Sequence, residues 1–123
     1  MNYGRLVALF AAAGLGALIL CGSVQAHAQL LLSTPAADST LDVSPKLIQL
    51  MLSEPLDLRF SGLELTDRDA RKIETAPVAS ANPQALTVAL KTPLLPGLYR
   101  VTWHAVCSGD GHRTQGVFAF KVN

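Results

Sequence analysis

Alternation of apolar and polar positions governs the chain beyond Pro45. Leu47-Ile48-Gln49-Leu50-Met51-Leu52 is a short β-rich run, and it stops at Ser53-Glu54-Pro55 because proline has no N–H to give to a ladder. From Ser61 to Asp67, Leu63 and Leu65 point one way and Glu64 and Thr66 the other. The polar turn Asp67-Arg68-Asp69-Ala70 and Lys72-Ile73-Glu74 then complete a predicted hairpin. Leu86 to Leu90 is a further half-buried strand, followed by a turn at Pro93-Leu94-Leu95-Pro96-Gly97. In the long segment Leu98 to Val106, Tyr99, Val101, Trp103 and Ala105 oppose Leu98, Arg100, Thr102 and His104. A last strand over Gly116 to Val122 sets Phe118, Phe120 and Val122 against Val117, Ala119 and Lys121. Ser33 to Ser39 reads as an extended segment along one sheet.

No stretch beyond residue 30 repeats at the helical period with caps. About six or seven short strands punctuated by Pro and Gly predict an all-β fold, an immunoglobulin-like antiparallel β-sandwich of Greek-key type in a single domain. The long apolar run lies at the start, where Arg5 precedes Leu6 to Leu20 and a polar stretch ends in Val24-Gln25-Ala26. At about 15 residues the run is shorter than the ~20 of a spanning helix, which predicts a secretory signal peptide over 1–26 and a domain over 27–123. Cleavage after Ala26 makes His27 the N-terminus; the small-residue rule also permits a cut after Ala28. Leu20 is too bulky for the position before a lipidated Cys21.

Residues 27–123 carry nine Lys or Arg, Arg5 being the tenth, against nine Asp or Glu. Nothing in that balance recruits nucleic acid, and no second apolar run inserts into a membrane after cleavage. Cys107 is the one cysteine beyond the leader, so a packed core rather than an internal disulfide must supply stability.

Candidate chemistry concentrates in Val106-Cys107-Ser108-Gly109-Asp110-Gly111-His112. Alternation sets Asp110 and His112 on one side of extended chain, and Gly111 lets the backbone turn so that carboxylate and imidazole converge. A terminal His27 would add an imidazole and a chelating α-amine. A nitrogen-rich set with one carboxylate suits tetragonal Cu(II) better than metals that want six oxygens.

Several short motifs in order resemble the CopC family of periplasmic copper-binding proteins: His27 after the cut, Ser33-Thr34-Pro35-Ala36-Ala37-Asp38-Ser39, Leu52-Ser53-Glu54-Pro55, Phe60-Ser61-Gly62, Pro96-Gly97-Leu98-Tyr99 leading to Trp103, and Asp110-Gly111-His112 ahead of Gly116, Phe118 and Phe120. The resemblance implies one Cu(II) per chain, held by the amine and imidazole of His27, the Asp110 carboxylate and the His112 imidazole. It implies a non-enzymatic copper carrier or buffer in the periplasm, acting in copper homeostasis or resistance and exchanging copper with an inner-membrane importer of the CopD type. Two features depart from the family. One extra residue separates Trp103 from Asp110, with Cys107-Ser108-Gly109 in place of a Ser-Ala pair, and is either absorbed by a bulge or re-aims Asp110. Beyond the leader Met51 is the one methionine, which argues against a thioether Cu(I) site. The competing functions are a copper-dependent oxidase built on a chelating N-terminal histidine and an Ig-like interaction module that binds no metal. His104 is expected to be a strand-face histidine, Cys107 a small buried side chain, and Glu54 a loop carboxylate.

Overall fold

The computed structural model describes residues 28–123; the leader and His27 lie outside the described residues. Eight strands follow in order: β1 (Leu30–Thr34), β2 (Thr40–Leu41), β3 (Leu47–Leu52), β4 (Gly62–Thr66), β5 (Lys72–Ile73), β6 (Ala85–Ala89), β7 (Gly97–Val106) and β8 (Arg113–Val122). They form a three-stranded sheet in the order β1-β3-β6 and a five-stranded sheet in the order β2-β8-β7-β4-β5. Successive strands repeatedly cross from one sheet to the other, and the result is the expected all-β sandwich. Among the described residues no helix is long and apolar enough to cross a membrane.

The core follows from the alternation. Ile48, Leu50 and Leu52 of β3 and Leu86 and Val88 of β6 cover Leu65 of β4, Val101 and Trp103 of β7, and Phe118 and Phe120 of β8. Because side chains on a strand alternate between faces, one register fixes all of these contacts together. β7 and β8 run in unbroken register from Gly97↔Val122 to Val106↔Arg113. At the far end Tyr99 stacks on Phe120 with ring centroids 5.7 Å apart, and its hydroxyl donates to the Leu95 carbonyl at 2.5 Å. That bond ties the Pro93–Gly97 turn to the strand it opens.

Three features differ from the sequence reading. β2 runs parallel to β8, not antiparallel, because the chain after β1 crosses to the other sheet and lies along its edge. Asp38 N–H donates to the Ala119 carbonyl at 2.7 Å and Lys121 N–H to the Ser39 carbonyl at 2.9 Å, so the segment read as merely extended closes an open strand edge. The second feature is the start of β8 at Arg113, three residues before the predicted Gly116. Arg113-Thr114-Gln115 shows no apolar alternation, but β7 continues opposite it and supplies the ladder partners. Thirdly, no bulge interrupts the ladder between β7 and β8, so the bulge considered as one way to absorb an added residue is not present in it.

Gly116 faces Trp103 across the ladder. A Cβ there would stand 2.8–2.9 Å from three atoms of the indole, so the ring occupies the space that any other residue would fill. Gly116→Ala should therefore destabilise the fold by about 1–3 kcal/mol through overpacking, more than the entropy gained by removing a glycine. Urea unfolding followed by Trp103 fluorescence measures it; an unchanged midpoint would mean that the indole moves aside at no cost.

Candidate metal centre

The loop joining β7 to β8 is pinned at its base. Cys107 N–H donates to the His112 carbonyl at 2.9 Å, and Gly111 N–H donates to the Cys107 carbonyl at 3.0 Å. Within this turn Asp110 Oδ1 accepts the His112 N–H at 3.0 Å, and Asp110 Oδ2 lies 3.3 Å from His112 Nδ1. Gly111, at φ +71°, adopts the left-handed conformation that a side chain would disfavour. The predicted convergence of Asp110 and His112 is therefore present but has another origin. Neither residue lies on a strand; an Asx-type turn brings them together, not strand alternation.

Both side chains are open to solvent, 36% exposed for Asp110 and 57% for His112. Two donors bound to one metal at about 2.0–2.1 Å and at a right angle stand about 2.9 Å apart. The 3.3 Å between Oδ2 and Nδ1 is a few tenths of an ångström wider, a difference that two exposed side chains can close. The pair supplies an oxygen and a nitrogen, half of a tetragonal set. Among the described residues no three of His, Cys, Asp and Glu are grouped closely enough to hold a metal by themselves. His27, the third predicted ligand, lies outside the described residues.

A second segment packs against this loop. Pro55 presents its carbonyl to the Ser108 N–H at 3.0 Å and to the Ser108 hydroxyl at 3.3 Å, and Leu56 bridges to Cys107. Ser61, only 7% exposed, accepts from the Val106 N–H at 2.9 Å and donates to the Asp57 carbonyl at 2.8 Å, holding the end of β7 to the same segment. Between the two lies a cleft of 230 Å³ lined by Glu54, Pro55, Cys107, Ser108, Gly109 and Asp110. Cys107 is buried in its wall, in keeping with the sequence reading, and Glu54 is an exposed loop carboxylate.

The start of the described chain arrives at the same place. Gln29 N–H donates to Ser53 Oγ at 2.8 Å, and Ser53 N–H donates to the Gln29 carbonyl at 2.8 Å. Ala28 is 1% exposed within the core cluster that also holds Leu56 and Cys107. Ser53, Pro55 and Ser61 thus assemble the site, a role that inspection of side-chain chemistry missed. Their signal was present in the motifs Leu52-Ser53-Glu54-Pro55 and Phe60-Ser61-Gly62, where the Ser53 and Ser61 hydroxyls and the Pro55 carbonyl bond to neighbouring segments.

A model of the CopC domain matches residues 30–123. The chain belongs to the CopC family. Its relatives include YobA of Escherichia coli K12, 40% identical over 116 residues that make up 92% of each chain. Copper resistance protein C of Pseudomonas syringae pv. tomato is 34% identical over 129 residues, covering 99% of this chain and 98% of that one. The crystal structure of PcoC, a methionine-rich copper resistance protein from Escherichia coli, superimposes with a TM-score of 0.71 at 38% identity, covering 80% of this chain and all of that one.

His104 stands apart from the loop, half-buried on the outer face of β7 opposite Gly62 and Gln115. Burial pushes its imidazole below the ordinary value of 6.5, and the nearby Arg113 charge adds to the effect, while a hydrogen bond to the Phe60 backbone opposes it. As pH falls through the ordinary value the unfolded chain takes up a proton that the folded chain resists. Stability from neutral His104 is therefore complete above that pH and lost as pH falls toward the lower folded value. Between about pH 7.5 and about pH 5.5 the urea midpoint of the parent should drop more than that of His104→Gln. Equal drops would remove His104 as the source of acid sensitivity.

Proposed function

We propose that this protein is a periplasmic copper carrier or buffer that holds one Cu(II) through His27, Asp110 and His112. The observation that carries the reading is the convergence of the Asp110 carboxylate and the His112 imidazole, 3.3 Å apart, on a loop bonded to the Pro55 carbonyl, two residues from the Ser53 that pairs with Gln29. The residue preceding Ala28 is His27. If the leader is cut after Ala26, the new terminus offers an amine and an imidazole to the described oxygen and nitrogen. A cut after Ala28 would instead remove a side chain that is 1% exposed in the core, which favours the earlier position.

Three nitrogens and one carboxylate match the preference of Cu(II) for tetragonal nitrogen and oxygen donors, and copper outranks zinc at such a set. The relatives named for copper resistance support the same cargo. Their names refer to no reaction, and in this reading copper is bound and released unchanged. An inner-membrane importer of the CopD type is the corresponding partner. Glu54 across the cleft adds a negative charge that favours a cation beside Asp110.

Intact-mass measurement of the exported protein should give a chain beginning at His27; a start at Gln29 would overturn its role. That chain should bind one Cu(II) with nitrogen couplings in its electron paramagnetic resonance spectrum. His112→Ala should weaken binding by at least about 100-fold and Asp110→Ala by less, and affinity should fall from about pH 7.5 to about pH 5.5 as protons compete for the nitrogen donors. Retention of the spectrum and affinity by His112→Ala would sink the proposed ligand set.

A further inference from the structure

The outer face of the five-stranded sheet has a composition that the fold does not require. Its strands carry the cations Arg100 on β7, Arg113 and Lys121 on β8, and Lys72 on β5, all exposed, against the carboxylate of Glu64, while Asp67 and Arg68 of the β4–β5 turn line a hollow with Leu98 and Arg100 at its edge. None of the four cations forms an ion pair among the described residues, whereas Arg59 and Lys91 elsewhere are paired to Asp57 and Glu74. Residues 27–123 balance nine cations with nine anions, so this face concentrates positive charge within a segment that has no net excess. Two apolar side chains are exposed on it at separate points, Val117 opposite Thr102 at 60% and Leu98 beside Lys121 at the far end of the ladder at 49%. Exposed apolar side chains with arginines beside them fit the mixed apolar and polar make-up of a protein interface.

The face also contains a hollow. A depression of 290 Å³ lies over the backbone of Trp103 and Gly116, with Thr102, His104, Arg113, Gln115 and Val117 around it. Arg113 lies close enough for its charge to act on the His104 imidazole. A guanidinium, an amide and a hydroxyl around one hollow suit a carboxylate, which a guanidinium grips with two parallel hydrogen bonds. Arg113 directly follows His112 in sequence, so the hollow adjoins the loop that carries Asp110 and His112.

We propose that the outer face of the five-stranded sheet docks an acidic segment of a partner protein, with one carboxylate seated between Arg113 and Gln115, apolar side chains on Val117 and Leu98, and further acids against Arg100 and Lys121. The partner's chemistry is an exposed stretch that alternates Asp or Glu with aliphatic residues. The face favours this occupant over an anionic bilayer because its cations are spread along the strands, between single exposed apolar side chains and beside a hollow of side-chain size, rather than forming the dense polybasic cluster that a lipid surface attracts. That the docked partner exchanges copper with the adjoining loop rests on the copper reading above; the docking itself does not.

The test titrates the metal-free, isotopically labelled protein with a blocked short peptide of alternating Glu or Asp and Leu or Val, with its Gln and Asn counterpart, and with phosphatidylglycerol vesicles. The acidic peptide should shift the backbone resonances of 98–104 and 113–121 and saturate by about 1 mM. The uncharged peptide should bind at least about ten-fold more weakly, as should Arg100→Glu combined with Lys121→Glu when given the acidic peptide. A native-like spectrum and an unchanged copper signal should accompany that double variant; if it does not fold, Arg100→Gln and Lys121→Gln singly should each weaken the peptide. No shifts on this face, equal response to both peptides, or response to vesicles alone would overturn the proposal. Peptide docking by a chain that takes up no copper would count against the copper reading only.

Discussion

The unbroken antiparallel ladder between β7 and β8 is the constraint on which the rest of this protein depends. Each strand is ten residues long, and their shared register sets Tyr99, Val101, Trp103 and Ala105 beside Phe120, Phe118, Gly116 and Thr114. A slip of one residue would turn the whole apolar row toward solvent. It would also drive a side chain into the Trp103 indole, which only Gly116 leaves room for. The same ladder ends at Val106 and Arg113, and so fixes both feet of the loop that presents Asp110 and His112.

That arrangement separates the tasks of stability and binding. The strands bury their apolar row against β3 and β6, while the loop beyond the last rung needs only a few backbone hydrogen bonds to hold its shape. Ser61 and the Pro55 carbonyl then attach the neighbouring segment, and the Gln29–Ser53 pair brings in the start of the described chain. The described part of the candidate centre is held by three separate stretches of sequence, joined by hydrogen bonds among themselves.

The outer face of the same sheet has a different character from the loop. Positions not used by the core are free to carry Arg100, Arg113 and Lys121, and their charge cannot be inferred from a balanced total. The loop beyond the two long strands thus brings a carboxylate and an imidazole together, while the outer face of the strands carries cationic side chains.

Several parts of this picture were legible in the chain itself. The period-two rows of β3, β4, β6 and β7 declared both their conformation and their buried faces, because a half-buried strand must alternate. The Asp110-Gly111-His112 motif declared a carboxylate and an imidazole held close by a glycine. Sequence did not disclose that an Asx turn brings them together, since alternation and a turn both make neighbours of residues two apart. Nor did it disclose the parallel pairing of β2, the extension of β8 to Arg113, or the backbone duties of Ser53, Pro55 and Ser61. Those depend on which distant backbone lies within hydrogen-bonding reach, and only the packing of one sheet on the other decides that.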